Sequence, residues 1–416
     1  MESTYFRRGF GLKAAIEGQL STDYHSAIVE SMRSQGNRLT AGRLSFRLAQ
    51  EFGFCYGVDR AVDYAYETRA KFPDRRLFLV GEIIHNPHVN ANLARMGVTF
   101  LHRAEVPSLA EGAFAADTQV SNPGEFDFSG LTADDAVIIP AFGVTMRDFQ
   151  RLRDVGCVVV DTTCGSVLNV WKRVESYARD GFTSVIHGKH YHEETKATAS
   201  QVSRHAGGKY LIVFDMAEAR LVCDWIEGRG DVQQLEARFA SAGPAGFDFE
   251  RDLERIGVAN QTTMLSGESL AIAAEFRKSL TTRFGEDRIA EHFRSFDTIC
   301  SATQERQDAV VKLLEEPIDL MLVIGGYNSS NTCALAALAE SHGVRTYHIE
   351  DAENIDVAAA TIRHQPVRTK HEVTEHGWLG SATRIGVTAG ASTPNNKIGE
   401  TVVRVTETAG EQINAS

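Results

Sequence analysis

The chain has 416 residues, 43% of them hydrophobic and 24% charged, and a formal net charge of −12. That mass suits two to four core-forming units, and so acidic a balance excludes a general nucleic-acid binder, whose phosphate contacts need a basic surface. No apolar run approaches the roughly 18–20 residues that cross a bilayer, and the N-terminal stretch, with Glu2, Glu17, Asp23 and Glu30 and no apolar h-region, fits neither a signal nor a transit peptide. The expected setting is therefore the cytoplasm, away from membranes.

Residues 1–44 precede any regular pattern and read as an N-terminal extension. From Leu44 onward one unit recurs: a short apolar run, a polar turn, then a helical stretch. It appears in LSFRLAQEFGFCYGVDRAVDYAYE, LFLVGEIIHNPHVNANLARMG, AVIIPAFGVTMRDFQRLRDVG, CVVVDTTCGSVLNVWKRVESYA and FTSVIHGKHYHEETKATASQ. Further on come RIGVANQTTMLSGESLAIAAEF, FDTICSATQERQDAVVKLLEE (with a weaker strand), DLMLVIGGYNSSNTCALAALAE and RIGVTAGASTPNNKIGETVVRV. Such alternation predicts βαβ units with parallel sheets, whose functional groups gather beyond the carboxyl ends of the strands, where these polar turns fall.

Six cysteines are too sparse for a disulfide scaffold, which leaves buried filler, catalytic thiol or metal ligand. Cys157, Cys223 and Cys333 lie within apolar or helical runs and read as filler. Cys55, Cys164 and Cys300 each stand between a strand-like run and a helix, and each opens a block of domain size. The chain thus divides into 45–163, 164–296 (with a surface insertion at 226–255), 297–405 and a tail at 406–416. The expected architecture is α/β: three small α/β domains in a pseudo-threefold trefoil. Three thiolates at helix N-termini, where the dipole lowers a thiol pKa, suit a metal or cluster. Zinc would want four ligands from paired motifs, which are missing. An iron–sulfur cluster on three cysteines would leave one iron open to substrate. The competing reading is three unrelated buried thiols, and the equivalence of their positions in the repeat favours a shared site.

The polar turns add a consistent set of groups. Asn328-Ser329-Ser330-Asn331 and Thr388 to Thr393 each place small or hydroxyl-bearing residues before a helix, where backbone N–H groups cradle anions. EIIHN supplies His85, HGKHYHEET supplies His187, His190, His192, Glu193 and Glu194, and QTTM supplies Thr262 and Thr263. Together they point to a small phosphorylated ligand held by many hydrogen bonds. Each turn alone is equally an ordinary helix cap, and His187, His190 and His192 are also readable as a separate metal site.

EFGFCYGVDRAV, GEIIHN, VDTTCGSV, HGKHYHEET, NQTTM, DTICSATQERQ, GGYNSSNT and VTAGASTP together resemble the 4-hydroxy-3-methylbut-2-enyl diphosphate reductase family, in its longer plant and cyanobacterial branch, over about residues 45–405. The resemblance implies a trefoil around a [4Fe-4S] cluster held by Cys55, Cys164 and Cys300. The cluster's open iron would take the allylic hydroxyl, with Glu194 as proton donor and Thr262 beside that hydroxyl. His85, His192, Thr263, Ser329, Ser330, Asn331 and Ser392 would hold the substrate. No NAD(P) fingerprint is present, so ferredoxin or flavodoxin is the expected electron donor. Two positions depart from the commoner pattern: Phe142 stands where a histidine is usual, and Gly165 where a proline is. Lys189 is the expected substitute for the charge missing at Phe142. A hydro-lyase with an open cluster and a non-catalytic iron–sulfur redox sensor are the alternatives.

Overall fold

The hydrophobic runs that follow one another in sequence pair as parallel strands because a helix returns the chain across each sheet. In the computed structural model, residues 4–103, 124–367 and 369–413 are described. They form three α/β layers, each with its own parallel sheet. The first sheet runs, in spatial order, Tyr5–Phe6, Val158–Asp161, Ala136–Ile139, Leu77–Val80, Val98–Leu101. The second runs Phe293–Ser295, Ile256–Asn260, Thr183–His187, Tyr210–Val213. The third runs Thr346–Ile349, Leu320–Ile324, Arg384–Ala389, Leu44–Leu48, with Arg38–Ala41 antiparallel at its edge. A small antiparallel sheet, Ile355–Asp356, Thr361–His364 and Val373–His376, is added beside the third. The central strands are buried along their whole length, as sheets covered on both faces must be. This is the mixed α/β trefoil expected from the repeat. Among the described residues, no helix is long and apolar enough to cross a membrane.

Several boundaries differ from those that chain order alone suggests. The strand Leu44–Leu48, which opens the first expected block, is hydrogen-bonded to Arg384–Ala389 in the third sheet. The extension is not a separate arm. Tyr5–Phe6 pairs with Val158–Asp161, Ile16 and Tyr24 pack into the first core, and Val29, Met32, Leu39 and Ala41 pack into the third. The stretch 226–255, read as a surface insertion, carries Leu235, Phe239, Phe249 and Leu253 into the second core; its apolar residues are spaced too irregularly to announce this. The helix Asn395–Thr408 runs past residue 405, with Thr406 buried.

Candidate active site

Each of the three cysteines caps a helix: Cys55 precedes Tyr56–Lys71, Cys164 precedes Gly165–Arg179, and Cys300 precedes Ser301–Leu314. Only Cys164 follows closely on its strand; the strands Leu44–Leu48 and Phe293–Ser295 end several residues before the other two. At all three the backbone is extended and then turns helical, so the thiol sits where the first N–H groups are unspent. Cys300 uses them, its Sγ accepting from Thr303 N at 3.3 Å and lying 3.0 Å from Thr303 Oγ1. The approach of the other two is read at Gly57. A Cβ there would stand 2.5 Å from Cys164 Sγ and 3.9 Å from Cys55 Sγ, so a residue with no side chain is required between them.

The helix starts were expected to lower these thiol pKa values. At Cys55 and Cys300 burial outweighs them. It raises Cys55, with repulsion from Cys164 adding to it against the Val58 N–H and the Arg306 charge. It pushes Cys300 up to about 11, with Cys55 and Glu194 repelling its thiolate while Thr303 opposes. Such thiols lose their protons to a bound cation rather than to water. No three His, Cys, Asp or Glu side chains among the described residues converge on a single-ion site. Thiols drawn from three layers around a common centre suit a multinuclear iron–sulfur core, in which separate irons each take one thiolate.

The cysteines are tied to the polar turns one by one. Cys55 N donates to Ala391 O at 3.2 Å, Cys164 N to Ala141 O at 2.8 Å, and Cys300 N to Thr262 O at 3.3 Å. The turns carrying Ser392, Phe142 and Thr262 are thereby fixed against the thiol centre. Glu194 lies in the first turn of the helix Glu193–Val202 and is 3% exposed. Its Oε1 accepts from Thr262 N at 2.6 Å. Burial pushes its carboxyl up to about 6, while the Thr262 hydrogen bonds and His85 hold it down. A carboxyl poised there can give up a proton near neutral pH.

The remaining predicted residues meet above this centre. His192 caps the Glu193–Val202 helix, its Nδ1 accepting from Glu194 N at 3.1 Å. Its Nε2 lies 3.1 Å from His85 Nε2, and His85 Nδ1 lies 3.0 Å from Glu82 Oε2. Burial, then His85, Lys189 and Lys196, hold the His192 pKa well below the usual histidine value. Phe142, in place of the usual histidine, lies flat on His85 with centroids 4.7 Å apart and planes 13° apart. Ser392 Oγ donates to His85 O at 3.3 Å and lies 3.4 Å from Ser329 Oγ. Asn331 accepts from Ala391 N at 2.9 Å through Oδ1, while its buried Nδ2 has no partner among the described residues.

Gln261, quoted above only as part of QTTM, is the hub that sequence reasoning missed. Its Oε1 accepts from Lys189 N and Thr195 Oγ1, both at 3.1 Å, and its Nε2 donates to Thr263 Oγ1 at 3.0 Å and Ser330 Oγ at 3.1 Å. It joins turns of the second sheet to the Asn328–Asn331 turn of the third. Arg306 was missed as well. Buried to 3% exposure, it grips Gly53 O through Nε and Nη2 at 3.2 and 2.7 Å, two residues before Cys55. Neither residue type announces such a role from within a helix or a turn.

A cavity of about 1180 Å³ opens beside these groups, with His85, His192, Lys189, Thr263 and Ser330 in its wall, while Glu194, Thr262, Ser329, Asn331, Ser392 and the cysteines Cys55, Cys164 and Cys300 do not line it. Cys333, read as filler, also lines it, half-buried at the start of the helix Ser330–Ser341; Cys157 and Cys223 are buried filler. His187 is fully buried on Ser269 Oγ at 2.7 Å, away from His192, so the three histidines of HGKHYH do not form a site together.

A model of the LytB protein family matches residues 46–406. The 4-hydroxy-3-methylbut-2-enyl diphosphate reductase of Gloeobacter violaceus is 46% identical over 408 residues, 98% of this chain and 93% of the relative. The enzyme of that name from Thermosynechococcus vestitus is 45% identical over 401 residues, 96% of this chain and 94% of the relative. Among solved structures, the E-1-hydroxy-2-methyl-but-2-enyl-4-diphosphate reductase from Plasmodium falciparum matches with a TM-score of 0.60 at 20% identity, over 89% of this chain and 88% of that one. At that identity the likeness speaks of the fold alone.

Proposed function

This chain belongs to the LytB protein family, and from that membership we propose that it catalyses the reductive dehydroxylation of 4-hydroxy-3-methylbut-2-enyl diphosphate, the last step of the non-mevalonate isoprenoid pathway. The products are isopentenyl and dimethylallyl diphosphates: the allylic C–O bond breaks, two electrons and two protons enter, and one water leaves. Family membership makes the enzyme an iron–sulfur oxidoreductase. A [4Fe-4S] cluster on Cys55, Cys164 and Cys300 would supply the electrons and a Lewis-acidic iron for the hydroxyl. The donor set favours this, with three thiols around one centre and Gly57 leaving room between two of them.

The chain's own residues do the rest. His85, His192, Thr263, Ser329, Ser330, Asn331 and Ser392 bind and orient the diphosphate and the carbon chain, with Lys189 adding charge from the cavity wall. Thr262 holds the Glu194 carboxyl toward the thiol centre, and Glu194 gives its proton to the departing hydroxyl. The carrying observation is Glu194 itself: a fully enclosed acid with its carboxyl raised to about 6 and fixed at 2.6 Å by Thr262, the residue whose carbonyl anchors Cys300. Electrons arrive one at a time from ferredoxin or flavodoxin in the cytoplasm, since no nicotinamide fingerprint exists to bring a hydride.

The test is turnover by anaerobically purified protein, with and without reductant, in wild type and Glu194→Gln. Reductant-dependent conversion that the variant loses while keeping its brown colour supports the reading. Turnover without reductant makes the protein a hydro-lyase, and a variant indistinguishable from wild type in every response makes it a sensor.

A further inference from the structure

The two histidines of the site are not equivalent, and the hydrogen bonds say which proton sits where. His192 Nδ1 accepts from a backbone N–H, so it carries no hydrogen, and burial keeps the ring neutral; its one hydrogen is on Nε2. That nitrogen therefore donates to His85 Nε2. His85 Nε2 is then an acceptor, and its hydrogen must be on Nδ1, where Glu82 Oε2 receives it.

A diphosphate offers only acceptors. His192 can turn its Nε2–H to a phosphate oxygen without changing charge. His85 cannot donate from Nε2 unless it gains a proton, because its single hydrogen is committed to Glu82. Resting on the diphosphate reading above, we propose that Glu82 is a positioning residue that holds the Nδ1 proton of His85 and stabilises its imidazolium when a diphosphate displaces His192 from its Nε2. The site then takes one proton from solvent for each diphosphate bound, and His85 supplies the positive charge that Phe142 cannot. Phe142 contributes through its face, since a flat aromatic ring at 4.7 Å favours a cation over it.

Among the described residues, the charged and titratable groups around His85 come from several elements. Glu82 pairs with it from its own turn and His192 from the turn after Thr183–His187, Glu194 acts on it from the helix behind, and Lys189 and Lys196 lie close enough to act on its partner His192. From the first sheet Phe142 lies flat on the ring, with His102 and Arg103 lining the same cavity as Glu82 and His85, and the third sheet meets the His85 backbone through Ser392 and Gly326. The Glu82 carboxylate is 44% exposed while His85 is 18% exposed, so Glu82 can be altered without opening the core.

The probe is inorganic pyrophosphate, titrated calorimetrically into the holoenzyme at about pH 8 in buffers of different ionisation enthalpy, above the ordinary histidine range. Wild type should take up about one proton more than Glu82→Gln, whose amide keeps the acceptor but not the charge. The variant should bind roughly tenfold more weakly, raising KM for substrate with kcat within about twofold. Glu82→Asp, which keeps the charge, should restore the uptake. Equal uptake and equal affinity in wild type and Glu82→Gln would overturn the role of Glu82 and leave the diphosphate reading standing. Pyrophosphate failing to bind wild type would overturn both.

Discussion

The thiol centre and the polar cradle above it are built on opposite plans. The centre has three sulfur groups, one from each helix start, each with a single backbone bond to a neighbouring turn. The cradle has many weak contacts drawn from all three layers, with Gln261 alone bonded to four groups. A centre of few strong ligands fails when one is lost. A cradle of many hydrogen bonds, each contributing about 0.5–1.5 kcal/mol, degrades in steps.

The largest effect is therefore expected at the centre. Cys164→Ser should lose the iron and all measurable turnover, and retention of near-normal iron content would erase the distinction. Glu194→Gln comes next, lowering kcat by about 10²–10⁴-fold with KM little changed, as removal of a general acid does. The sign of the pH dependence follows from the raised carboxyl. The acid must be protonated to donate, so kcat should be full below about 6, then fall about tenfold per pH unit above it while chemistry limits the rate. A rate rising with pH across that range would remove Glu194 from the role.

Within the cradle the effects should be smaller. Gln261→Leu strands the Thr263 and Ser330 hydroxyls and should raise KM about tenfold, at a cost of roughly 1–3 kcal/mol in stability measured by thermal melting. Lys189→Met should raise KM for the diphosphate only a few-fold, because its charge sits in the cavity wall beside solvent. Unchanged kinetics there would leave His85 to carry the compensation for Phe142 alone.

The same contrast explains what was legible in the sequence. The thiols could be read because a cysteine between a strand and a helix is visible locally, whatever it meets in space. So could the α/β alternation, which depends only on hydrophobic period. The links that make the cradle were not, because they join residues far apart in the chain: His85 and His192 are separated by 107 positions and Gln261 and Ser330 by 69. The extension escaped for a related reason. Tyr5–Phe6 is too short to show a strand period, and only its pairing with Val159 and Val160 defines it. The pKa direction expected for Cys55 and Cys300 failed because a helix start is a local signal, whereas burial among other thiols is a property of the assembled layers.

The central claim is that Cys55, Cys164 and Cys300 jointly hold one iron–sulfur core facing the cradle. Its most direct test is iron and sulfide analysis of anaerobically reconstituted wild type beside Cys55→Ser, Cys164→Ser, Cys300→Ser and Cys333→Ser. The account predicts about four irons and four sulfides per chain in wild type, the same in Cys333→Ser, and loss in each of the other three. Full loading of any one of those three, or loss in Cys333→Ser alone, would contradict it.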